Sequence, residues 1–301
     1  MRVVDRAIVR LLPAVPRPVV QRLSAPYIAG ATLDDARRTV AGLNAEGKLA
    51  TVDVLGEEVT RAAEAEAVAS AYHAVLDAIA GDHLDANVSV KLTALGLQVD
   101  LDRSLLATVV AYAAARGIFV RIDMEDSSCT DDTFLLYREL REARRDNVGI
   151  VLQSRLRRTL DDVAALAELR PSVRLCKGIY VEPPAIAYQG RDEIRESFVR
   201  VLHALLEAEC YPAVATHDEW LLERVLERVE GMPRDAYELQ MLLGVRERRA
   251  SELVAAGHRL RVYVPYGERW YEYSLRRLQE NPSLATMVAT ATVGRLVPGR
   301  G

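Results

Sequence analysis

Lysine, arginine, aspartate and glutamine recur in this chain at every second position of otherwise apolar runs. In Val88-Ser89-Val90-Lys91-Leu92 the three aliphatic residues share one face, and Ser89 and Lys91 share the other. Phe119-Val120-Arg121-Ile122-Asp123-Met124 sets Val120, Ile122 and Met124 against Arg121 and Asp123. Gln153 lies opposite Ile150 and Leu152, and Arg174 opposite Val173 and Leu175. Arg261 and Tyr263 lie opposite Leu260, Val262 and Val264. Side chains alternate across a strand, so each run offers one apolar and one polar face. A polar face buried without partners is costly, and a polar ligand site on that face resolves the conflict.

Lys91, Asp123, Gln153, Arg174, Lys177, Thr216, His217 and Tyr263 fall in or at the ends of strand-like segments, and Arg276 and Arg277 in a terminal helical stretch. Four or five cations with few matching carboxylates predict a cationic pocket for one or more anions, because guanidinium groups grip carboxylate and phosphate through a planar fork. Adjacent helix positions diverge by about 100°. Arg276 and Arg277 could therefore meet on one ligand only through their long side chains; otherwise one of them is a solvated surface residue. Plainer readings stand beside these: His217 as a structural histidine, Asp123 as a counter-ion to Arg121, and Cys176 as a small buried apolar residue.

The elements that must hold these residues alternate. Patterning predicts strands near 49–55, 88–94, 118–124, 148–154, 173–179, 212–217, 236–242 and 259–265. Helices are expected near 57–80, 101–115, 131–145, 157–169, 191–209, 218–229, 243–256 and 267–280. Asp131, Thr159 and Ser251 read as cap or first-turn residues, and Gly117, Gly231 and Gly257 as helix stops. Eight such units over roughly 250 residues match a closed (β/α)8 barrel. An open doubly wound sheet would want a glycine-rich turn after its first strand; here that strand runs Asp53-Val54-Leu55-Gly56-Glu57. Residues 1–46 form an N-terminal helical arm, with its longer helix at Thr32 to Glu46, and 47–301 form the barrel.

Of the 301 residues, 50% are hydrophobic and 27% charged, as in ordinary globular proteins, and the formal net charge is −4. A nucleic-acid binder with a basic surface throughout is thereby excluded. Cys129, Cys176 and Cys210 are dispersed and odd in number. Neither a disulfide framework nor a metal site is expected from them, which favours a reducing cytoplasm. No apolar run approaches the roughly 20 residues that span a bilayer. Met1 to Arg22 alternates apolar and basic residues around Pro13, Pro16 and Pro18. It reads as a helical cover on the barrel, the alternative being a peripheral contact with an anionic membrane.

Six segments taken in order resemble the proline dehydrogenase family, in its monofunctional bacterial branch. They are Ser89-Val90-Lys91-Leu92-Thr93-Ala94-Leu95, Arg121-Ile122-Asp123-Met124-Glu125, Arg174-Leu175-Cys176-Lys177-Gly178-Ile179-Tyr180, Ala215-Thr216-His217, Tyr237-Glu238-Leu239-Gln240, and Arg261-Val262-Tyr263-Val264-Pro265-Tyr266-Gly267 continuing through Tyr273, Arg276 and Arg277. The resemblance runs from about Ala50 to Asn281. It implies a distorted barrel holding FAD, oxidation of L-proline to Δ1-pyrroline-5-carboxylate, and transfer of the electrons to a membrane quinone. It also implies functional coupling to a pyrroline-5-carboxylate dehydrogenase.

On that resemblance Arg276, Arg277 and Lys91 would clamp the substrate carboxylate, and positioning would supply most of the catalysis. Tyr263 and Tyr273 would pack the ring, with Tyr273 favouring proline over hydroxyproline by crowding. Glu57 would pair with the first arginine as an ion-pair gate. Arg174 and Gln153 would contact the isoalloxazine, where a guanidinium stabilises the charge that grows on reduction. Met124, Lys177, Gly178 and Ile179 would line the cofactor, Gly178 because the backbone must approach closely. Thr216 and His217 would hold its ribityl–pyrophosphate or adenosine side. Asp123 would orient Tyr263 or Lys91 and not act as a proton abstractor. Ile179 departs from the family, where a small residue is common. Rival readings are oxidation of another cyclic imino acid such as hydroxyproline, a lysine Schiff-base aldolase using Lys91 or Lys177, and a non-catalytic barrel.

Overall fold

The computed structural model describes residues 20, 24–56, 59–271, 273 and 274. The eight strands are β1 (Leu49–Val54), β2 (Ala86–Val90), β3 (Val120–Ile122), β4 (Val148–Gln153), β5 (Ser172–Cys176), β6 (Tyr211–Ala215), β7 (Glu238–Leu242) and β8 (Leu260–Tyr266). All pair in parallel and in sequence order, and β8 returns to β1 to close the barrel. Helix α1 (Leu33–Ala45) precedes the barrel. Between strands lie α2 (Ala62–Gly81), α3 (Asp102–Ala114), α4 (Thr130–Glu142), α5 (Thr159–Leu166), α6 (Arg191–Glu207), α7 (Glu219–Arg228) and α8 (Glu247–Ala255). The fold is the expected (β/α)8 barrel.

The two faces of each strand separate as the alternation requires. Val88, Val90, Val120, Ile122, Ile150, Leu152, Val173, Leu175 and Leu260 join one buried cluster with Leu76, Val110, Tyr137, Val163, Leu202 and Leu222 of the helices. Polar residues of the other parity bond one another across the interior. Arg174 on β5 reaches Gln240 on β7, and Tyr263 on β8 reaches Asp123 just past β3. Such pairs join strands that are not neighbours, so their side chains must fill the barrel.

Local signals explain the boundaries. Thr32 and Asp35 form a reciprocal capping box at α1, and Ala36 and Val40 carry that helix into the barrel's own core. Asp131 stands in the first turn of α4, and Thr159 opens α5. Gly117, Gly231 and Gly257 take left-handed φ just after helices. Ser251 departs from expectation: it lies inside α8, because the turn through Gly244 and Arg246, both at positive φ, starts the helix at Glu247, four residues ahead of it. Strands β2 and β3 are shorter than expected, since side chains take over their ends. The Glu125 carboxylate accepts the Thr93 N–H at 3.1 Å and the Thr93 hydroxyl.

The floor of the barrel is charged. Arg121, 2% exposed, donates to the carbonyls of Ile150 and Ser172 and to the Ser172 hydroxyl. Gly149 makes room for it: a Cβ there would lie 2.6 Å from Arg121 Nη1. Burial pulls this guanidinium down to about 9. Arg261 Nε meets both oxygens of Glu238 at 3.0 Å, and its Nη1 donates to the Ala50 carbonyl at 2.7 Å.

Candidate active site

Above that floor, the C-terminal ends of the strands surround a cavity of about 340 Å³, within the range usual for small-molecule sites. Lys91, Asp123, Gln153, Arg174, Lys177, Gly178, Ile179, Thr216, His217, Tyr263 and Tyr273 all line it. Met124 does not: its side chain packs in the main core, and its carbonyl faces the Gln153 amide at 3.4 Å. Glu57, Arg276 and Arg277 lie outside the described residues.

One network centres on Asp123. Its Oδ1 accepts from Arg174 Nη1 and, at 2.7 Å, from the Ser89 hydroxyl; its Oδ2 accepts from the Tyr263 hydroxyl at 2.9 Å. Asp123 thus orients Tyr263 and pairs with Arg174, not with Arg121 or Lys91. Arg174 also donates from Nε to Gln240 Oε1 at 2.6 Å, and its guanidinium lies 5.1 Å over the Tyr263 ring. Burial first, then the Asp123 charge, raises the Tyr263 phenol well above its ordinary range, so it stays protonated.

Lys91 has a different partner. Its Nζ lies 2.8 Å from each oxygen of Asp53, which is fully buried on β1. Burial pushes the Asp53 carboxyl up, and the Lys91 charge opposes that shift. Tyr72 from α2 donates to the Ser89 carbonyl at 2.6 Å and braces the same corner. At the far wall Lys177 donates to Asp218 at 2.9 Å, and Arg195 grips the same carboxylate from Nε at 2.9 Å and Nη2 at 2.7 Å. These bonds hold the Asp218 carboxyl well below the usual carboxylate range.

The pairing corrects the sequence-based electrostatics. Strand patterning predicts a pocket of unmatched cations, yet among the described residues Lys91, Arg174 and Lys177 each meet a carboxylate. Sequence reasoning missed Asp53, Gln240 and Asp218 as members of the site. Asp53 carries the same signal as the others, an acid at alternating parity in Thr51-Val52-Asp53-Val54. Gln240 and Glu238 stand in a family-like segment that gives them no role. Asp218 follows His217 directly, and nothing local marks it as the anchor of Lys177.

The wall from β4 to β7 combines apolar surface with polar groups. Val151, Ala215, Met241 and Leu242 supply apolar surface. Gly178, at φ +92°, passes so close to Gln153 that a Cβ would lie 2.5 Å from its Oε1. Gln153 Nε2 donates to the Glu125 carbonyl at 2.7 Å, and its Oε1 lies against Gly178. His217 Nε2 accepts the Leu242 N–H at 2.9 Å, and the Thr216 hydroxyl accepts the Asp218 N–H at 3.1 Å. His217 is therefore tied to β7 while lining the cavity. Cys176 donates its thiol to the Leu152 carbonyl, and burial pushes it up to about 11, which disfavours the thiolate. Apolar faces and a polar edge fit a planar heterocycle such as a flavin.

Comparisons with known proteins agree with this arrangement. A family model described as proline dehydrogenase matches residues 36–290. The chain is 36% identical over 266 residues to Proline dehydrogenase 1 of Bacillus subtilis subsp. natto, covering 87% of this chain and 88% of that protein. It is 35% identical over 280 residues to the Proline dehydrogenase of Deinococcus radiodurans, covering 90% of each. Among solved structures, proline utilization A (PutA) from Bdellovibrio bacteriovorus inactivated by N-propargylglycine superposes with a TM-score of 0.83 at 26% identity, covering 91% of this chain and 36% of that one. The chain thus spans about a third of that larger protein. With the barrel, the strand-end residues and the matched length all in agreement, the chain belongs to the proline dehydrogenase family.

Proposed function

We propose that this protein is an FAD-dependent enzyme that oxidises L-proline to Δ1-pyrroline-5-carboxylate and passes the electrons to a quinone. The observation that carries the reading is the convergence of Lys91, Arg174, Tyr263 and Tyr273 with Gln153 and Gly178 on one cavity. When bound there, FAD supplies the two-electron acceptor. Gln153, Arg174, Lys177, Gly178, Ile179, Thr216 and His217 would hold it, with Met124 contributing through the backbone that Gln153 grips.

The reaction removes a hydride from the ring carbon that bears nitrogen but not the carboxylate, and a proton from that nitrogen. Lys91 would meet the carboxylate together with Arg276 and Arg277, with Glu57 as the gate. Tyr263 has committed its proton to Asp123, so toward a substrate N–H it can only accept. Tyr273 packs with Ile28 and Leu55 and would close over the ring. Arg174 would stabilise the negative charge that grows on reduction, and Asp123, bonded to it, would fix its orientation.

The bonding of both lysines counts against a Schiff-base aldolase. A Schiff-base lysine needs its amine free to attack, whereas Lys91 is engaged by Asp53 and Lys177 by Asp218. A quinone acceptor would bring the protein to a membrane surface. Among the described residues no helix is long and apolar enough to cross one. Liposome flotation with and without residues 1–22 checks whether the arm makes contact.

Addition of L-proline to the purified yellow protein is expected to bleach its visible absorbance. Persistent colour with FAD bound would overturn the substrate. Arg276→Met and Arg277→Met are each expected to raise KM for proline by about 10-fold or more, the worth of a charged hydrogen bond, while FAD stays bound. An unchanged KM would remove the clamp.

A further inference from the structure

An unbroken hydrogen-bond chain links the barrel floor to the cavity, and the direction of each bond is fixed. Arg261 can only donate, so Glu238 accepts from it. Ionised Glu238 can only accept, so Gln240 must turn its amide nitrogen down toward it, as observed. Gln240 Oε1 then points up and takes the Arg174 Nε–H. Arg174 Nη1 is spent on Asp123 and Ser89. Two of the three guanidinium nitrogens are thereby consumed by the protein. Among the described residues Nη2 makes no hydrogen bond, yet it is not among the buried unsatisfied atoms, so it remains for the cavity.

We infer that Glu238 and Gln240 are positioning residues: Glu238 sets the amide orientation of Gln240, and Gln240 aims Arg174 Nη2 into the cavity. The inference rests on the proposed flavin site. It adds to that site a control element one layer below, on a residue that lines no part of the cavity. The alternative is that Glu238 merely neutralises Arg261 inside the barrel.

The donor order gives a test that a packing role would not pass. In Glu238→Gln the new amide must offer its oxygen to Arg261, which leaves its NH2 facing Gln240. Gln240 then either meets it donor to donor or flips and presents its own NH2 to Arg174 Nε. Either outcome unseats the guanidinium. Gln240→Glu sets two carboxylates against each other. The double variant Glu238→Gln with Gln240→Glu restores the order. Arg261 donates to the oxygen of the amide introduced at position 238. The NH2 of that amide donates to the carboxylate introduced at position 240, and the carboxylate accepts from Arg174. Net charge is unchanged from the wild type.

In the FAD-loaded protein, each single variant is expected to slow flavin reduction by proline about 10- to 100-fold and to lower the midpoint potential of the bound flavin. The double variant is expected to recover both. If the single variants do not fold, Gln240→Met removes both the acceptor for Arg174 and the donor to Glu238 without introducing a charge, and is expected to show the same fall in potential. Wild-type rates and potentials in folded single variants would overturn the inference, as would a double variant no better than the worse single one. A wild-type protein that proline does not bleach would count against the proposed function instead; the potential measurement, which needs no proline, still decides the role of Glu238 and Gln240.

Discussion

Arg121 and Arg174 are the same residue type, both buried inside one barrel, and they do opposite work. At the floor, Arg121 gives its bonds to backbone carbonyls and a serine on β4 and β5. It joins strands and lines no part of the cavity. Nearer the mouth, Arg174 gives its bonds to side chains, and those side chains leave one nitrogen for the cavity. Burial and charge alone do not tell a functional arginine from a structural one. The destination of the donors does.

Exchange for lysine, which keeps the charge and loses the fork, should separate the two. Arg174→Lys is expected to slow flavin reduction by about 100-fold or more, the loss usual for a preorganised donor at developing charge, with little change in melting temperature. Stopped-flow bleaching and a thermal melt check the pair of outcomes. Arg121→Lys is expected to do the reverse. Losing two of its charged hydrogen bonds costs about 3–6 kcal/mol, which lowers Tm by roughly 5–10 °C, while the rate stays within about threefold. A slow but stable Arg121→Lys would collapse the distinction.

The smallest effect concerns the Asp218 node, which belongs to both categories. It anchors Lys177 at the cavity and ties β5, β6 and α6 together. Its carboxyl is depressed in the folded protein. The stability it contributes is therefore present above the ordinary value of 3.8 and is lost as pH falls through the folded value. Asp218→Asn is expected to lower Tm by about 3 °C near neutrality. The difference from wild type should shrink below pH 3.8, as melts across pH would show.

The alternation of single strands is enough to mark Lys91, Asp123, Gln153, Arg174 and Tyr263, because a polar residue at an interior parity is visible in one dimension. Partnership is not. Lys91 and Asp53 are 38 residues apart, Arg174 and Asp123 are 51 apart, and Tyr263 and Asp123 are 140 apart. Which strands face each other depends on the closed barrel and its stagger. Counted strand by strand, the cations outnumber their counter-ions; counted across the barrel, Lys91, Arg174, Lys177 and Arg261 each meet a carboxylate. The roles of Glu238 and Gln240 are hidden for a further reason. Each is ordinary alone, and only the sequence of donors and acceptors through both gives them a task.

The barrel closes along six residue pairs, from Leu49 opposite Arg261 to Val54 opposite Tyr266, and the Arg261 bond to Ala50 crosses the same seam. Those partners stand 211 residues apart in the chain. During synthesis β1 emerges first and must wait for β8 with its edge unpaired, since no earlier segment can satisfy it. Closure of this barrel is thus gated by β8, and the edge of β1 stays open to mispairing until β8 has been made.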